Sequence, residues 1–161
     1  MNRKEITKQL AQLTEKYINP HNDPRIYSAK EVTFDYATAH AIRVDYMQFK
    51  PVNNTAGGIE KGLFYCYEIK SCVDDFNSGH GKNFIGDYNY LVMPHELYIQ
   101  VQRSIPYDVG VLIPSADCWR ALESVKKAKQ KVRQYTAEEM LLMMYRSTQR
   151  ELIKEKRLRG Q

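Results

Sequence analysis

One run of residues constrains the fold of this chain more than any other: Phe64-Tyr65-Cys66-Tyr67-Glu68-Ile69-Lys70-Ser71. It is apolar and aromatic, which reads as a strand, and it ends by delivering a carboxylate and an amine two residues apart. Residues i and i+2 of a strand point to the same face, so Glu68 and Lys70 are expected side by side. Upstream, Arg43-Val44-Asp45-Tyr46-Met47-Gln48-Phe49 is a second strand-like run, and Asp45 supplies another carboxylate.

The remaining pattern fills in the elements around these two strands. From Lys4 to Tyr17, the residues Ile6, Leu10, Leu13 and Tyr17 recur at spacings of three and four, one face of an amphipathic helix that Asn19 to Pro24 ends. Glu31 to Tyr36 and Ile42 to Phe49 read as adjacent antiparallel strands, and the turn-rich loop Lys50 to Gly58 leads into the strand Leu63 to Lys70, giving a meander. Ser71 is a candidate N-cap, with Asp74 three residues on, for a short helix through Phe76. Asn77 to Asn83 is a polar connection containing Gly79 and Gly81. A strand Tyr88 to Pro94, a helix His95 to about Arg103 and a strand Val109 to Pro114 form a β-helix-β crossover, which implies parallel pairing. Thr136 to Leu158 is the clearest helix, with Thr136 as N-cap, Glu138 and Glu139 in its first turn, and Met140, Leu141, Met144 and Leu152 on one side. We assign its Met-rich stripe to packing or self-association. The expected fold class is α/β, a central mixed sheet (antiparallel meander plus parallel crossover) flanked by helices, with a long C-terminal helix.

At 161 residues and 43% hydrophobic, the chain suits one core and is too short for two ordinary domains. A single domain over 1–161 is expected, its core at about 31–114 and a basic helical region at about 118–161. The net charge of +5 admits an anionic partner without requiring one. The basic excess is densest in Lys126 to Arg133 and Lys154 to Arg159, readable either as a solvated helix face or as phosphate contacts. Three cysteines, Cys66, Cys72 and Cys118, lack paired spacing, which argues against a disulfide framework or structural zinc. With no apolar leader from Met1 to Gln9 and no apolar stretch of bilayer length, the expectation is a cytoplasmic protein without a membrane partner.

Adjacent hard oxygen donors and an amine suggest a chemistry. Hydrolysis of a phosphodiester needs a hard divalent cation to offset charge on the phosphate and lower the pKa of an attacking water. Asp45, Glu68 and the backbone carbonyl of Ile69 would suffice to hold Mg²⁺ or Mn²⁺, and Lys70 could orient the water or stabilise the transition state. This requires strands two and three to pair with Asp45 opposite Glu68. Each residue also has a plain alternative as an ordinary strand or surface charge.

Arg43-Val44-Asp45 on one strand, then Tyr67-Glu68-Ile69-Lys70-Ser71 closing the next, then Asp74 or Asp75 with Phe76, resembles the PD-(D/E)XK nuclease superfamily. The run from Glu68 to Phe76, followed by Lys82, Asp87 and the strand Tyr88 to Pro94, is similar to the MmcB-type DNA-repair branch and its E-[VI]-K-S-x-x-x-D-F signature. The likeness covers about Glu31 to Pro114, and Val44 stands where the superfamily name has proline. It implies a restriction-endonuclease-like core, Asp45 and Glu68 as metal ligands, and Lys70 as the catalytic lysine. It also implies an additional upstream acid, for which Glu5, Glu15 and Glu31 compete; Glu31 is favoured because its strand neighbours that of Asp45. Asp75 and Asp87 carry over by position as supporting residues. DNA is the expected partner, and a homodimer is expected at this size.

His80 and Lys82, in the glycine-flanked loop, and Ser71 are candidate substrate contacts. A lone Trp119 is more simply a core residue. Two other readings compete with a DNA endonuclease or repair nuclease. One is a non-catalytic nucleic-acid-binding accessory protein that retains the fold, and the other is an interaction protein built on the C-terminal helix.

Overall fold

A computed structural model of the chain describes residues 1–160. The single residue beyond them, Gln161, belongs to the expected C-terminal region and lies outside the described residues.

Among the described residues, twelve elements build one sheet and its cover. Helix α1 (Arg3–Ile18) begins at a capping box, in which the Asn2 side chain accepts from the Glu5 amide and the Glu5 carboxylate accepts from the Asn2 amide. Strands β1 (Tyr27–Phe34), β2 (Ile42–Lys50) and β3 (Leu63–Ile69) form the expected antiparallel meander. A short helix α3 (Val73–Asn77) precedes β4 (Tyr88–Val92), and α4 (His95–Val101) precedes β5 (Gly110–Pro114). Both β4 on β3 and β5 on β4 are parallel, so the crossover is as expected. With β6 (Leu122–Lys126) beside β5, the sheet is mixed, six-stranded and ordered β1 to β6 in sequence.

Alternation along the strands divides the core between two faces. On one face α1 packs over Tyr46, Tyr67, Ile69, Val92 and Leu112. On the other, the long helix α5 (Ala137–Leu158) covers Met47, Phe49, Phe64 and Cys66, while Phe76 of α3 and Leu97 and Val101 of α4 cover Leu91, Met93, Val111 and Ile113. Thr136 caps α5, its hydroxyl accepting from the Glu139 amide, and the expected bounds of that helix hold.

Several expectations need correction. A sixth strand, β6 (Leu122–Lys126), pairs antiparallel with β5, and a short helix α2 (Ala56–Glu60), capped by Thr55, occupies part of the segment read as loop. Lys126 to Arg133 is no helix: Lys126 ends β6 and the residues after it are neither helix nor strand, the Lys129 and Lys131 amides donating to the carbonyls of Asp108 and Asp87. Leu152 is exposed rather than on the core side of α5, and Tyr17 is half-exposed, its ring set edge-on to Tyr67. Ser71 is not the cap of α3; that position is Cys72, which makes no side-chain cap bond. Trp119, at φ 51°, is partly buried against the α1-side core. Cys66, Cys72 and Cys118 are unpaired, and among the described residues no helix is long and apolar enough to cross a membrane.

Candidate active site

The β2–β3 register decides what the sequence left open. Paired positions run from Lys50↔Leu63 to Tyr46↔Tyr67, so the next step places Asp45 beside Glu68. Both follow the alternation of Met47 and Cys66 and face the α5 side. The strands are fastened here by the Ile69 amide, which donates to Asp45 Oδ2 at 2.8 Å. Burial, and next the neighbouring Asp45 carboxyl, push the Glu68 carboxyl well above its ordinary range, against the opposing pull of Lys70.

Lys70 is bonded to the loop and to Asp75 rather than to Asp45 or Glu68. Its ammonium donates to the carbonyls of His80 and Asp75 and stands 4.0 Å from Asp75 Oδ1. Asp75 is itself held by the Ser71 amide at 3.0 Å, by the Ser71 hydroxyl and by Arg3 at 3.3 Å. Asp75 therefore stands bonded between Ser71, Arg3 and the lysine. Ser71, by contrast, is buried with its hydroxyl committed to Asp75, which removes it from the candidate substrate contacts.

The polar loop after α3 is seated on this pair. Gly79 and Gly81 have φ of 79° and 71°, a conformation that favours glycine. A Cβ at Gly81 would stand 2.5 Å from Glu68 Oε2 and 3.5 Å from Lys70 Nζ, so the backbone at Gly81 lies directly on both groups. Only 4% of Glu68 and 3% of Lys70 is exposed as a result. His80 lines the same groove, whereas Lys82 is turned away, its ammonium 4.2 Å from the centre of the Phe76 ring. The expected substrate contact by Lys82 is thereby corrected.

Around the acidic floor is a groove of about 820 Å³ whose wall combines residues far apart in sequence: Arg3 of α1, Lys30 and Arg43 of the meander, and Lys154 of α5. Lys30 pairs with Glu151 at 3.6 Å. Arg43 and Lys154 are exposed on the rim. Lys154 lies in a basic run already readable as phosphate contacts and Arg43 stands two residues before Asp45, whereas Arg3 and Lys30 carry no sequence signal, because only the fold brings them to the groove.

Glu31 lines the groove too, in the position of β1 facing Asp45 between the pairs Lys30↔Tyr46 and Val32↔Val44. Its φ is 51°, a left-handed conformation rare for a residue with a side chain. Helix α5 stabilises the distortion: the Arg150 guanidinium donates to the Glu31 carbonyl at 2.6 Å and the Ser147 hydroxyl to the Lys30 carbonyl. Among the described residues, however, no three acidic, His or Cys side chains converge closely enough to hold an ion by themselves. Glu31 thus shares the groove with Asp45 and Glu68 without completing a three-carboxylate cage. The other upstream acids are engaged elsewhere, Glu5 in its capping box and Glu15 with the Tyr46 hydroxyl at 2.8 Å.

Asp87 is not part of the site. It accepts from the Phe64 amide at 2.7 Å and pairs with Arg133 at 3.2 Å, at the start of β3. At about 3.3 Å per residue, Phe64 lies roughly 13 Å along the strand from Glu68. Asp87 ties the β4 entry and the segment before α5 to the sheet.

Comparison with known proteins addresses the fold alone. No family model and no curated protein matches the chain. It is similar to a solved structure, the SPO1766 protein of unknown function from Silicibacter pomeroyi, with a TM-score of 0.67 and 18% identity, over 97% of this chain and 94% of that one. Over that 97% the chain follows a fold already seen in a solved structure.

Proposed function

We propose that this protein is a divalent-metal-dependent nuclease of the PD-(D/E)XK kind, cleaving phosphodiester bonds in DNA. One observation carries the reading: adjacent strands set the carboxyls of Asp45 and Glu68 against each other beside the Lys70 ammonium, on the floor of a groove with a basic rim. A buried carboxyl whose neighbour is a second carboxyl is costly to ionise, and a hard cation would remove that cost. Asp45 and Glu68, with the Ile69 carbonyl, would hold Mg²⁺ or Mn²⁺ there. When bound, such an ion supplies charge neutralisation at the phosphate and acidifies a bound water.

The chain's own groups do the rest. Lys70, once released from the loop carbonyl of His80, would bring its positive charge to a phosphate or to the attacking water. Arg43 and Lys154 on the rim are suited to flanking phosphates, which position a strand without reading its sequence. The loop around Gly81 must be displaced before either Glu68 or Lys70 meets a substrate. Three unpaired cysteines, with Cys118 exposed, support a reducing, cytoplasmic setting.

A second reading, an accessory nucleic-acid-binding protein that retains the fold without cutting, draws on the same loop, since Glu68 and Lys70 are covered by it. Cleavage of single-stranded, duplex and branched DNA with Mg²⁺ or Mn²⁺ separates the two. Metal-dependent cutting by the wild type that is lost in Lys70→Met and Glu68→Gln, both folded, supports the nuclease. Binding without cutting supports the accessory reading, and neither binding nor cutting defeats both.

A further inference from the structure

Helix α5 has a second apolar face. Its core side buries Ala137, Met140, Met144 and Ser147. On the side turned away from the sheet, Leu142, Tyr145, Leu152 and Ile153 stand 51%, 61%, 45% and 48% exposed. Leu142, Tyr145 and Leu152, taken with Glu138, Gln149 and Lys156, form a row at positions 138, 142, 145, 149, 152 and 156, alternating spacings of four and three, with Ile153 beside it. That is the period of a two-helix seam, where a straight surface helix needs no such regularity.

The row is also self-complementary when reversed about the level of Ser147. Glu138 then meets Lys156, Leu142 meets Leu152, and Tyr145 meets Gln149. Parallel alignment would instead oppose Glu138 to Glu138 and Lys156 to Lys156, which like-charge repulsion disfavours. We propose that α5 pairs antiparallel with α5 of a second copy of this chain, forming a two-fold symmetric dimer.

Each Leu142 packs on Leu152 of the second copy, and the two ends close with Glu138–Lys156 ion pairs. At the centre sit Tyr145 and Gln149, already joined by a 2.8 Å bond from the Gln149 amide to the Tyr145 hydroxyl. Polar groups at seam positions set register and orientation. In an antiparallel pair the two-fold axis is perpendicular to the plane of the helices, so corresponding flanks of both copies face the same way. The flank carrying Arg146, Arg150, Lys154 and Arg157 is therefore doubled on one side of the dimer, next to both grooves, since Lys154 belongs to each groove. The pairing itself does not depend on the nuclease reading.

Sedimentation equilibrium of the full chain tests it. The account expects a concentration-dependent species of twice the chain mass, weakened at least about tenfold by Leu142→Glu or Leu152→Glu with the helical circular dichroism and melting midpoint preserved. Glu138→Lys alone weakens the dimer, and Glu138→Lys combined with Lys156→Glu restores it, because the reversed pairs are again complementary. A strict monomer at every concentration overturns the proposal. So does a dimer that ignores the leucine substitutions, or one that the double reversal fails to restore.

Discussion

The two ends of β3 each bury a carboxylate, and they treat it oppositely. At the N-terminal end, Asp87 receives the Phe64 amide and the Arg133 guanidinium, the latter also 5.1 Å from the centre of the Phe64 ring. Its charge is matched and its hydrogen bonds are made. At the C-terminal end, Glu68 is as deeply buried but lies against Asp45, and the nearest amine, Lys70, is bonded to loop carbonyls. A compensated buried charge contributes to the fold; an uncompensated one is a cost that a ligand can remove. The contrast is why we assign structure to one end and chemistry to the other.

The contrast can be broken most forcefully at Lys70. Lys70→Met should lower metal-dependent DNA cleavage by about a thousandfold, roughly 4 kcal/mol of barrier, with the fold retained by circular dichroism. The matching change at the other end should do the reverse. Arg133→Met strands Asp87 and should cost about 3 kcal/mol of stability, a fall of roughly 10 °C in the calorimetric melting midpoint.

A smaller effect of opposite sign is expected at Glu68. Because the Glu68 carboxyl is pushed up in the folded state, its contribution is complete below the ordinary value of 4.5 and is lost as pH rises through the raised folded value. Glu68→Gln should therefore melt higher than wild type at neutral pH in the absence of metal, by about 1 kcal/mol, with the gap closing in acid. Thermal denaturation across pH measures this directly. The smallest change concerns the loop: Gly81→Ala puts a methyl group against Glu68 in a left-handed conformation and should cost about 1 kcal/mol. Faster hydrogen exchange at residues 78–83, with the core strands unchanged, is the expected sign.

What was legible in the sequence follows the same division between local and long-range causes. Helix α5 was readable at both ends because Thr136 caps it and its methionines recur at helical spacing. The meander was readable because β2 and β3 are apolar and aromatic, and Asp45, Glu68 and Lys70 came with them. Strand β6 was missed because Leu-Glu-Ser-Val-Lys at a sheet edge buries little beyond Leu122, leaving almost no apolar period. Lys126 to Arg133 looked helical by charge density, yet backbone bonds tie it to Asp87 and Asp108. Asp87 was drawn toward the site by its place in a motif, although β4 carries it to the far end of β3. Gly81 gave only the weak signal of a glycine beside histidine, and the left-handed Glu31 gave none, since α5 imposes it through Ser147 and Arg150.

Titration with Mn²⁺, followed by calorimetry, tests the central contrast most directly in wild type, Glu68→Gln and Asp87→Asn. Wild type should bind, Glu68→Gln should not, and a less stable Asp87→Asn should still bind. Wild type that takes up no Mn²⁺, or Glu68→Gln that binds it as well as wild type does, would contradict the assignment of chemistry to the Glu68 end of the strand.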